Sequence, residues 1–245
     1  MAVLPWLDPD NDRTPFPPVE CALRDPDGLL AAGGSLSPQR LLDAYRGGIF
    51  PWYTQGQPIL WWSPDPRAVL FPGELRVSHS LRKTLRKRTF RVTADTAFLQ
   101  VVEACAEPRG DETGTWITAE MAGAYGHLHA LGWAHSVECW IEDTLAGGLY
   151  GIGMGRVFFG ESMFTQRRDA SKVALVHLVR QLEAWAYGLI DCQVRSAHLE
   201  NLGARSVPRT RFIELLNRYA GEPGRAGPWR LDPELPELVA ARSSQ

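Results

Sequence analysis

The chain has 245 residues, of which 44% are hydrophobic and 22% are charged. This composition is typical of a globular protein and excludes disordered, collagen-like and coiled-coil chains. The length predicts one large domain or two small ones. No apolar run approaches the ~20 residues that cross a bilayer, and the first residues lack the regions of a signal peptide, so we expect a cytoplasmic protein with no membrane anchor.

The cysteines and histidines do not indicate a metal site. Four cysteines lie far apart in the sequence and form no C-x-x-C pair, and the histidines form no ligand pattern with a neighbouring Cys or Asp. We therefore expect reduced thiols, with neither a zinc site nor a disulfide framework.

The formal net charge of −2 conceals an uneven distribution of charge. Between Arg76 and Arg91 the chain has seven basic residues and no acidic residue, which leaves a formal charge of −9 on the rest. The seven are Arg76, Arg82, Lys83, Arg86, Lys87, Arg88 and Arg91. Uncompensated cations in so short a segment favour an anionic partner, and the alternative is a solvated surface helix.

The first quarter of the sequence predicts one helix between segments rich in proline and tryptophan. Six prolines in the first 28 residues indicate an extended segment that lies over other elements. Ser37 and Pro38 are typical of a helix start, an apolar face follows, and Gly47 ends the helix. The Trp- and Pro-rich stretch 49–66 cannot form a regular helix and predicts rigid aromatic loops.

Two further helices are predicted before the main strands. Residues 80–88 place Leu81 and Leu85 on one helical face and basic side chains on the others. A second helix starts at a Thr118 cap and has apolar residues at every third or fourth position until Gly132.

The second half of the chain predicts an α+β domain. An apolar period of two predicts three successive strands, at about 135–141, 145–154 and 156–163. Glycines at 147, 148, 151 and 153 in the middle strand predict a bulge or a close approach by ligand backbone. A helix then starts near Asp169 or Ser171. It is followed by a strand at 189–194 and a last helix at about 209–219.

Two polar side chains are expected to share one face of the strand at 189–194. The alternation of a strand points Asp191 and Gln193 to the same side, with ~6.6 Å between their Cα atoms. If that side is interior, a carboxylate and an amide are buried at a cost of several kcal/mol unless they find partners. They are candidate chemical groups, and the alternative is that they satisfy backbone groups of a loop.

Other enzyme classes fit the sequence less well. The stretch Gly160 to Phe164 lacks the closing glycine of a nucleophile elbow, and no Asp and His are spaced as a triad, which argues against a serine hydrolase. The order strand–strand–strand–helix–strand is that of an acetyltransferase, in which a glycine-rich loop holds the cofactor's pyrophosphate. Here residues 166–171 contain no glycine, and Asp169 would place a negative charge there. We therefore expect an acetyltransferase-like domain with another acyl donor.

Seven separate blocks of sequence carry a more specific signal. They are GLLA (28–31), GGIFPW (47–52), LWWSPDPRAVL (60–70), GTWIT (114–118), FGESMF (159–164), ASK (170–172) and IDCQ (190–193). Together, and in this order, they resemble the leucyl/phenylalanyl-tRNA-protein transferase family from about residue 15 to residue 217. The run WWSPDPRAVL alone is hard to obtain by chance.

The resemblance implies a cytoplasmic bacterial aminoacyltransferase. Such an enzyme moves Leu or Phe, and less readily Met, from aminoacyl-tRNA to the N-terminal Arg or Lys of a protein, which marks that protein for degradation by the N-degron route. We expect an N-terminal domain at residues 1–65, an acetyltransferase-like catalytic domain at residues 66–245, no metal, no coenzyme A and a monomeric protein. An N-acyltransferase with a different donor and a non-catalytic RNA-binding module are the alternatives.

The resemblance also implies roles for particular residues. Asp191 and Gln193 match a relay in which the carboxylate polarises the amide and the amide carbonyl accepts from the attacking amine; we expect both to act first as positioning groups. Glu161 is expected to bind the adenosine ribose or to orient that amine. The implied contacts to phosphates of the tRNA acceptor stem are Arg76, Arg82, Lys83, Arg86 and Lys87.

A pocket for the donor's amino-acid side chain and terminal adenosine is implied as well. Its expected members are Trp52, Trp116, Phe158, Gly160, Glu161, Met163, Leu175, Leu178 and Leu182. Aromatic walls and a flexible methionine suit Leu and Phe alike. Leu178 and Leu182 depart from the family, in which Phe occupies these positions, so the balance between the two donors stays open. The alternative for the apolar members is an ordinary core.

Overall fold

The computed structural model describes residues 4–108, 115–225, 227–235 and 239, so Gly114 of the fourth block lies outside the described residues. The strands are β1 (Trp6–Leu7), β2 (Leu29–Gly33), β3 (Phe50–Pro51), β4 (Leu60–Trp62), β5 (Arg67–Leu70), β6 (Arg91–Ala94), β7 (Ala134–Ile141), β8 (Thr144–Met154), β9 (Val157–Thr165), β10 (Leu189–Gln193) and β11 (Arg205–Val207). The helices are α1 (Pro38–Arg46), α2 (His79–Lys87), α3 (Phe98–Ala106), α4 (Ala119–Ala130), α5 (Ala170–Ala184), α6 (Ala197–Asn201) and α7 (Arg209–Ala220). None of these helices is long and apolar enough to cross a membrane.

The strands of the described residues form two sheets. β1 to β4 make a four-stranded sheet in the order β1-β2-β4-β3, and β5 to β11 make a seven-stranded sheet in the order β11-β5-β10-β9-β8-β7-β6. In the large sheet β9 and β10 are parallel, and the other neighbouring pairs are antiparallel. The parallel pair needs a crossover connection, which α5 provides. The fold is mixed α+β, as the sequence predicted.

The predicted helix starts and strand periods are confirmed. The hydroxyl of Ser37 accepts from the N–H of Arg40 at 3.1 Å where α1 begins, and Thr118 accepts from Met121 at 3.2 Å where α4 begins. The bounds of β7 to β10, α2, α4 and α7 agree with the predicted ones within two residues. Local capping and periodicity therefore determine most of these elements.

The stretch 49–66, predicted to form loops, contains two short strands instead. β3 and β4 pair antiparallel, with Phe50 opposite Trp62 and Pro51 opposite Trp61. Pro51 is tolerated because β3 lies at the edge of the small sheet, where a missing N–H breaks no ladder bond. Strands of two or three residues are too short to show an apolar period, so the pattern did not reveal them.

The sequence also left β1, β2, β5, β6, β11, α3 and α6 unpredicted. Among these, β5 positions the site, and all four of its residues are buried. A strand covered on both faces shows no alternation of polar and apolar residues. Its pairing with β10 and β11 is a tertiary contact that local pattern does not contain.

The proline-rich N-terminal segment packs over α1 and the small sheet, as predicted. Arg40, buried in α1, donates to the backbone carbonyls of Asn11 at 2.7 Å and Thr14 at 2.5 Å. The ring of Phe16 meets the indole of Trp61 edge-on, with centroids 4.9 Å apart. These contacts, together with the pairing of β1 with β2, fix the path of the extended segment.

Two hydrophobic clusters lie on opposite faces of the large sheet. Successive residues of β9 belong to different clusters: Phe159 lies in the same cluster as Tyr45 and Trp61, and Phe158 lies in the cluster that contains Leu178. The cluster that contains Phe159 joins the large sheet to α1, α4 and the small sheet. Groups on that face of β9 and β10 therefore lie against the N-terminal part of the chain.

The glycines of β8 allow close packing at a bulge. The pairing of β8 with β7 skips Ala146, beside Gly147, which confirms a bulge in the middle strand. A second shift, opposite Tyr150 and Gly151, places its extra residue, Glu161, in β9. A Cβ on Gly151 would lie 2.1 Å from the carbonyl oxygen of Phe159, and one on Gly147 would lie 2.7 Å from the Cβ of Ala170. The close approach at these positions comes from the protein's own chain.

We predict that Gly151→Ala destabilises the protein and that Gly123→Ala does not. The new methyl group at residue 151 overlaps the Phe159 carbonyl, and overpacking of this kind costs ~1–3 kcal/mol. Gly123 is exposed in α4 with nothing within 4 Å of its would-be Cβ, so alanine there should stabilise the helix by ~0.5–1 kcal/mol. Urea denaturation measures both effects, and equal free energies of unfolding would contradict the predicted overlap.

Candidate active site

A buried ion pair anchors the end of β10. Arg67 of β5 donates from Nε to Oδ1 of Asp191 at 2.8 Å and from Nη2 to Oδ2 at 2.6 Å. The two side chains are 1% and 0% exposed. The guanidinium also lies against the rings of Phe50 and Phe212, 4.7 and 4.6 Å from their centroids. Asp191 thus has a planar, bidentate partner whose position is set by packing.

Gln193 leaves the regular strand immediately after this ion pair. The register of β10 against β5 shifts between Asp191 and Gln193, and the φ angle of Gln193 is 62°, in the left-handed region. Its backbone N–H donates to Oδ1 of Asp191 at 2.9 Å. Both side chains are buried, but the expected regular strand is interrupted by a bulge. The carboxylate of Asp191 consequently contacts the backbone of Gln193.

The amide of Gln193 contacts a different carboxylate. Its Nε2 donates to Oε1 of Glu161 on β9 at 2.8 Å, and the hydroxyl of Tyr125 donates to Oε2 of Glu161 at 2.7 Å. The hydroxyl of Tyr45 lies 2.7 Å from that of Tyr125. Because Tyr125 gives its only proton to Glu161, Tyr45 is the donor within the tyrosine pair. These side chains form a buried chain from β10 through β9 to α4 and α1.

Glu161 titrates near neutral pH. Burial raises the pKa of its carboxyl to about 7, the hydrogen-bonded tyrosine pair and Gln193 act in the opposite direction, and the nearby Asp191 adds to the rise. Burial, followed by the nearby Glu161, raises the pKa of Tyr45 and of Tyr125 well above the usual value, so both hydroxyls keep their protons. A carboxyl group that titrates in this range suits general acid–base chemistry.

The charge of Glu161 decides how the Gln193 amide is oriented. A carboxylate only accepts hydrogen bonds, so it faces the NH2 group of the amide. The carbonyl oxygen Oε1 of Gln193 is then on the other side of the amide, where it can accept an N–H from a substrate. The arrangement can therefore orient an amine beside a buried carboxyl group.

The apolar residues predicted for the donor pocket are mostly core residues. Phe158, Leu178 and Leu182 are at most 1% exposed, and Leu175 is buried with them in the cluster on the α5 side of the sheet. Glu161 lies on the opposite side with Tyr125 and Tyr45. The structure therefore does not bring these leucines together with Glu161.

The remaining pocket residues lie at the end of β9 and at the surface. Met163 lines a cavity of about 530 Å³ together with Ser171, Lys172 and His198, and burial, with Lys172, lowers the pKa of His198. Gly160 is half-buried on β9. Trp52 is 45% exposed and packs edge-on against Trp62, while Trp116 packs at the margin of the cluster that contains Phe159.

The predicted basic helix is α2, and most of its cations face away from the core. Leu81 and Leu85 are buried against the α5 side of the sheet. Arg76, Lys83, Arg86 and Lys87 are exposed, and Arg82 is half-buried with its Nε donating to the carbonyl of Val77 at 3.1 Å. The hydroxyl of Thr84 joins α2 to the start of α5 by donating to Asp169 at 3.1 Å.

The start of α5 is a poor site for a pyrophosphate. Asp169 occupies the N-cap position with a φ of 65°, and its carboxylate lies 3.8 Å from Arg168 and 3.5 Å from Lys172. A negative charge at this position opposes the binding of a diphosphate. Within the described ranges no three His, Cys, Asp or Glu side chains converge as metal ligands.

Arg67, Tyr45 and Tyr125 are site residues that the sequence did not predict. Tyr45 and Tyr125 lie on the apolar faces of two predicted helices, α1 and α4. A tyrosine on such a face needs a hydrogen-bond partner, which is the signal that could have marked them. Arg67 directly precedes the apolar residues of β5, where an arginine is buried only with a partner.

The chain matches a known protein family along most of its length. Residues 69–217 match the family described as leucyl/phenylalanyl-tRNA protein transferase, and residues 34–65 match the N-terminal domain of the same family. The chain belongs to the leucyl/phenylalanyl-tRNA protein transferase family. The resemblance seen in the seven sequence blocks is thereby confirmed.

Relatives named leucyl/phenylalanyl-tRNA–protein transferase cover most of the chain. The one from Nitrosomonas europaea is 61% identical over 89% of this chain and 93% of its own length. Those from Aromatoleum aromaticum and Stutzerimonas stutzeri are 60% and 57% identical, each over 93% of this chain and over 94% and 100% of their own lengths. A solved protein of unknown function from Staphylococcus epidermidis is 12% identical over 74% of this chain and 68% of its own, with a TM-score of 0.38, too distant to support an argument.

In this member of the transferase family, we predict that stability falls as Glu161 loses its proton. The pKa of Glu161 is about 7 in the folded protein against an ordinary 4.5, so the folded state binds more protons between these values. The free energy of unfolding should therefore decrease as pH rises through this window, by about 1.4 kcal/mol per unit of pKa difference.

Two variants test this assignment. Glu161→Gln should remove the decrease, whereas Tyr125→Phe removes a hydrogen bond that lowers the pKa of Glu161, so the decrease should extend to higher pH. Urea denaturation across the window measures both. The same pH slope in Glu161→Gln as in the unsubstituted protein would show that another group is responsible.

Proposed function

We propose that the protein transfers leucine or phenylalanine from aminoacyl-tRNA to the N-terminal amine of an acceptor protein. The observation that carries this proposal is family membership over residues 34–65 and 69–217. The name of the relatives states the donor and the protein acceptor. The site supports it, because Gln193 offers an acceptor for an amine N–H beside the Glu161 carboxyl.

The reaction joins the amine to an ester that is already activated. The α-amino nitrogen attacks the carbonyl carbon of the aminoacyl ester, an N–C bond forms, and the C–O bond to the ribose breaks. The nitrogen loses a proton and the ribose oxygen gains one. In this proposal Gln193 Oε1 accepts an N–H of the amine and so directs its lone pair at the carbonyl carbon. Alignment of this kind supplies much of the rate.

The roles of the three polar residues follow from their contacts. Gln193 touches the attacking amine, Glu161 orients the Gln193 amide, and Asp191 positions the Gln193 backbone. As a carboxylate above pH 7, Glu161 favours the amide orientation that presents Oε1 to the amine.

We propose that the donor's side chain and terminal adenosine bind around β9. The cavity beside Met163, of about 530 Å³, supports this placement. The complete set is Trp52, Trp116, Phe158, Gly160, Glu161, Met163, Leu175, Leu178 and Leu182. Its deeply buried members would shape the pocket from beneath rather than touch the donor.

The cations of α2, together with Arg76 just before it, support a contact to tRNA phosphates. We propose that Arg76, Arg82, Lys83, Arg86 and Lys87 neutralise the acceptor stem, a mode of binding that reads the backbone rather than the bases. The −9 formal charge outside this segment supports an acceptor whose N-terminal residue is Arg or Lys. The product would be an N-degron that marks the acceptor for degradation, with Met as a slower donor, in the cytoplasm where tRNA is charged.

We propose that the chain divides into an N-terminal domain at residues 1–65 and an acetyltransferase-like domain at residues 66–245. The small sheet ends at Trp62 and the large sheet begins at Arg67, which supports that boundary. The parallel pairing of β9 and β10 after three antiparallel strands supports the acetyltransferase-like order. Arg67, Glu161 and Gln193 converge within one chain, which supports a monomeric enzyme.

A transfer assay tests the proposed function. We expect label from radioactive leucyl-tRNA or phenylalanyl-tRNA on a peptide that begins with Arg, and none on the same peptide with an acetylated N-terminus. Gln193→Ala should lower transfer by roughly 10²-fold because the amine loses its acceptor. Failure to transfer from either donor would exclude aminoacyl transfer, and tRNA binding without transfer would favour an RNA-binding module.

We predict that Lys83→Glu combined with Arg86→Glu weakens tRNA binding and flattens its salt dependence. Removing two phosphate contacts should reduce the slope of log K against log salt by about 1–2. The matched control is Arg211→Glu with Arg218→Glu, which makes the same charge change on the exposed face of α7. Filter binding over a salt series measures the tRNA affinity of both variants. An equal loss of affinity in the two would indicate that α2 is an ordinary solvated surface helix.

A further inference from the structure

The Arg67–Asp191 ion pair joins three parts of the fold to one residue of the proposed site. Arg67 belongs to β5 of the large sheet, while the rings that flank its guanidinium, Phe50 and Phe212, belong to β3 of the small sheet and to α7. Asp191 is the third residue of β10, two positions before Gln193. The ion pair thus links the end of β10 to side chains packed in both sheets and in α7.

Stability alone is a weak explanation for this ion pair. Replacing a buried ion pair by apolar residues of similar volume is often neutral or stabilising, because two charges must be removed from water. The Nη1 atom of Arg67 is buried and has no hydrogen-bond partner among the described residues, which adds a further cost. An ion pair buried under these conditions points to a role besides folding.

The geometry shows what the ion pair holds. Oδ1 of Asp191 accepts both from Nε of Arg67 at 2.8 Å and from the backbone N–H of Gln193 at 2.9 Å. Gln193 adopts a φ of 62°, which a glutamine does not favour on its own. Its amide then meets Glu161 at 2.8 Å. The left-handed turn and the direction of the amide therefore depend on where Arg67 places the Asp191 carboxylate.

We propose that Arg67 is a positioning residue of the transfer reaction, which through Asp191 holds Gln193 in the bulge that presents its amide carbonyl to the acceptor amine. This inference rests on the proposed function. It separates the tasks of the two carboxylates: Asp191 acts on the backbone of Gln193, and Glu161 is the carboxylate that contacts its amide. Arg67 touches no substrate in this scheme.

The decisive variant replaces both members of the ion pair. Arg67→Met with Asp191→Leu keeps the volume and removes both charges, so we expect a folded protein with a melting temperature close to that of the unsubstituted protein. The acceptor for the Gln193 N–H is lost, and we expect kcat to fall by about 10²-fold. The KM for aminoacyl-tRNA should stay within about twofold, because the donor does not contact this ion pair.

A double-mutant cycle asks whether Arg67 acts through Gln193. In a Gln193→Ala background the same pair of substitutions should lower kcat no further, since the group that they position is already absent. Equal losses of kcat in the two backgrounds would overturn the inference. A purely structural role would lower the melting temperature and leave this coupling at zero.

Arg67→Lys gives an independent measurement. Lysine keeps the positive charge but cannot make two parallel N–H bonds to one carboxylate, so kcat should fall at unchanged KM and with little change in the melting temperature. If the double variant does not fold, this variant decides: loss of kcat supports the inference, and unchanged kcat overturns it. If the unsubstituted protein transfers no amino acid, the proposed function itself is wrong. If it transfers normally and the variants keep its kcat, only the role of Arg67 is wrong.

Discussion

The burial of two carboxylates a few residues from a strand end is the constraint that shapes this molecule. Neither Asp191 nor Glu161 can lie in the interior without partners, and the partners differ in kind. Asp191 is held by a guanidinium and a backbone N–H, whereas Glu161 is held by the hydroxyl of Tyr125 and the amide of Gln193. Asp191 therefore has a charged partner and Glu161 has neutral partners. The two carboxylates lie in different electrostatic environments within one site, and they can serve different roles.

The partners of these carboxylates come from widely separated parts of the chain. Tyr45 and Phe50 belong to the first 65 residues, and Tyr125, Phe212 and the strands β5, β9 and β10 belong to the rest. One hydrophobic cluster spans both sheets at this point. The site is therefore a property of the junction between the two sheets, and neither sheet could form it alone.

The charged and the chemical parts of the protein occupy different layers. The basic helix α2 packs on the α5 side of the large sheet through Leu81 and Leu85, while Glu161 faces α4 and α1 on the other side. The cavity beside Met163 lies where β9 ends and α5 begins, and it is also lined by Ala104 of α3. The small net charge of −2 coexists with a strongly basic segment because the formal charge of +7 at residues 76–91 is offset by −9 on the rest of the chain.

Local sequence predicted many of the helices and strands and the family of this protein. Caps at Ser37 and Thr118, apolar periods of 3.6 and two, and the order of β7 to β10 around α5 depend on neighbouring residues, so their bounds could be predicted closely. The seven blocks identified the family for the same reason, since a motif is a local pattern. The strands β3, β4 and β5 were not predicted, because very short or fully buried strands carry no alternation.

The sequence by itself determined the family, the α+β order, the basic helix and the two polar residues Asp191 and Gln193. Only the tertiary structure decided that Asp191 pairs with Arg67, which is 124 positions away, and that the Gln193 amide meets Glu161 instead. Strand alternation describes a regular backbone, and the bulge at Gln193 breaks that regularity. The bulge exists because a buried carboxylate needs donors, and those donors come from elements brought together only by folding.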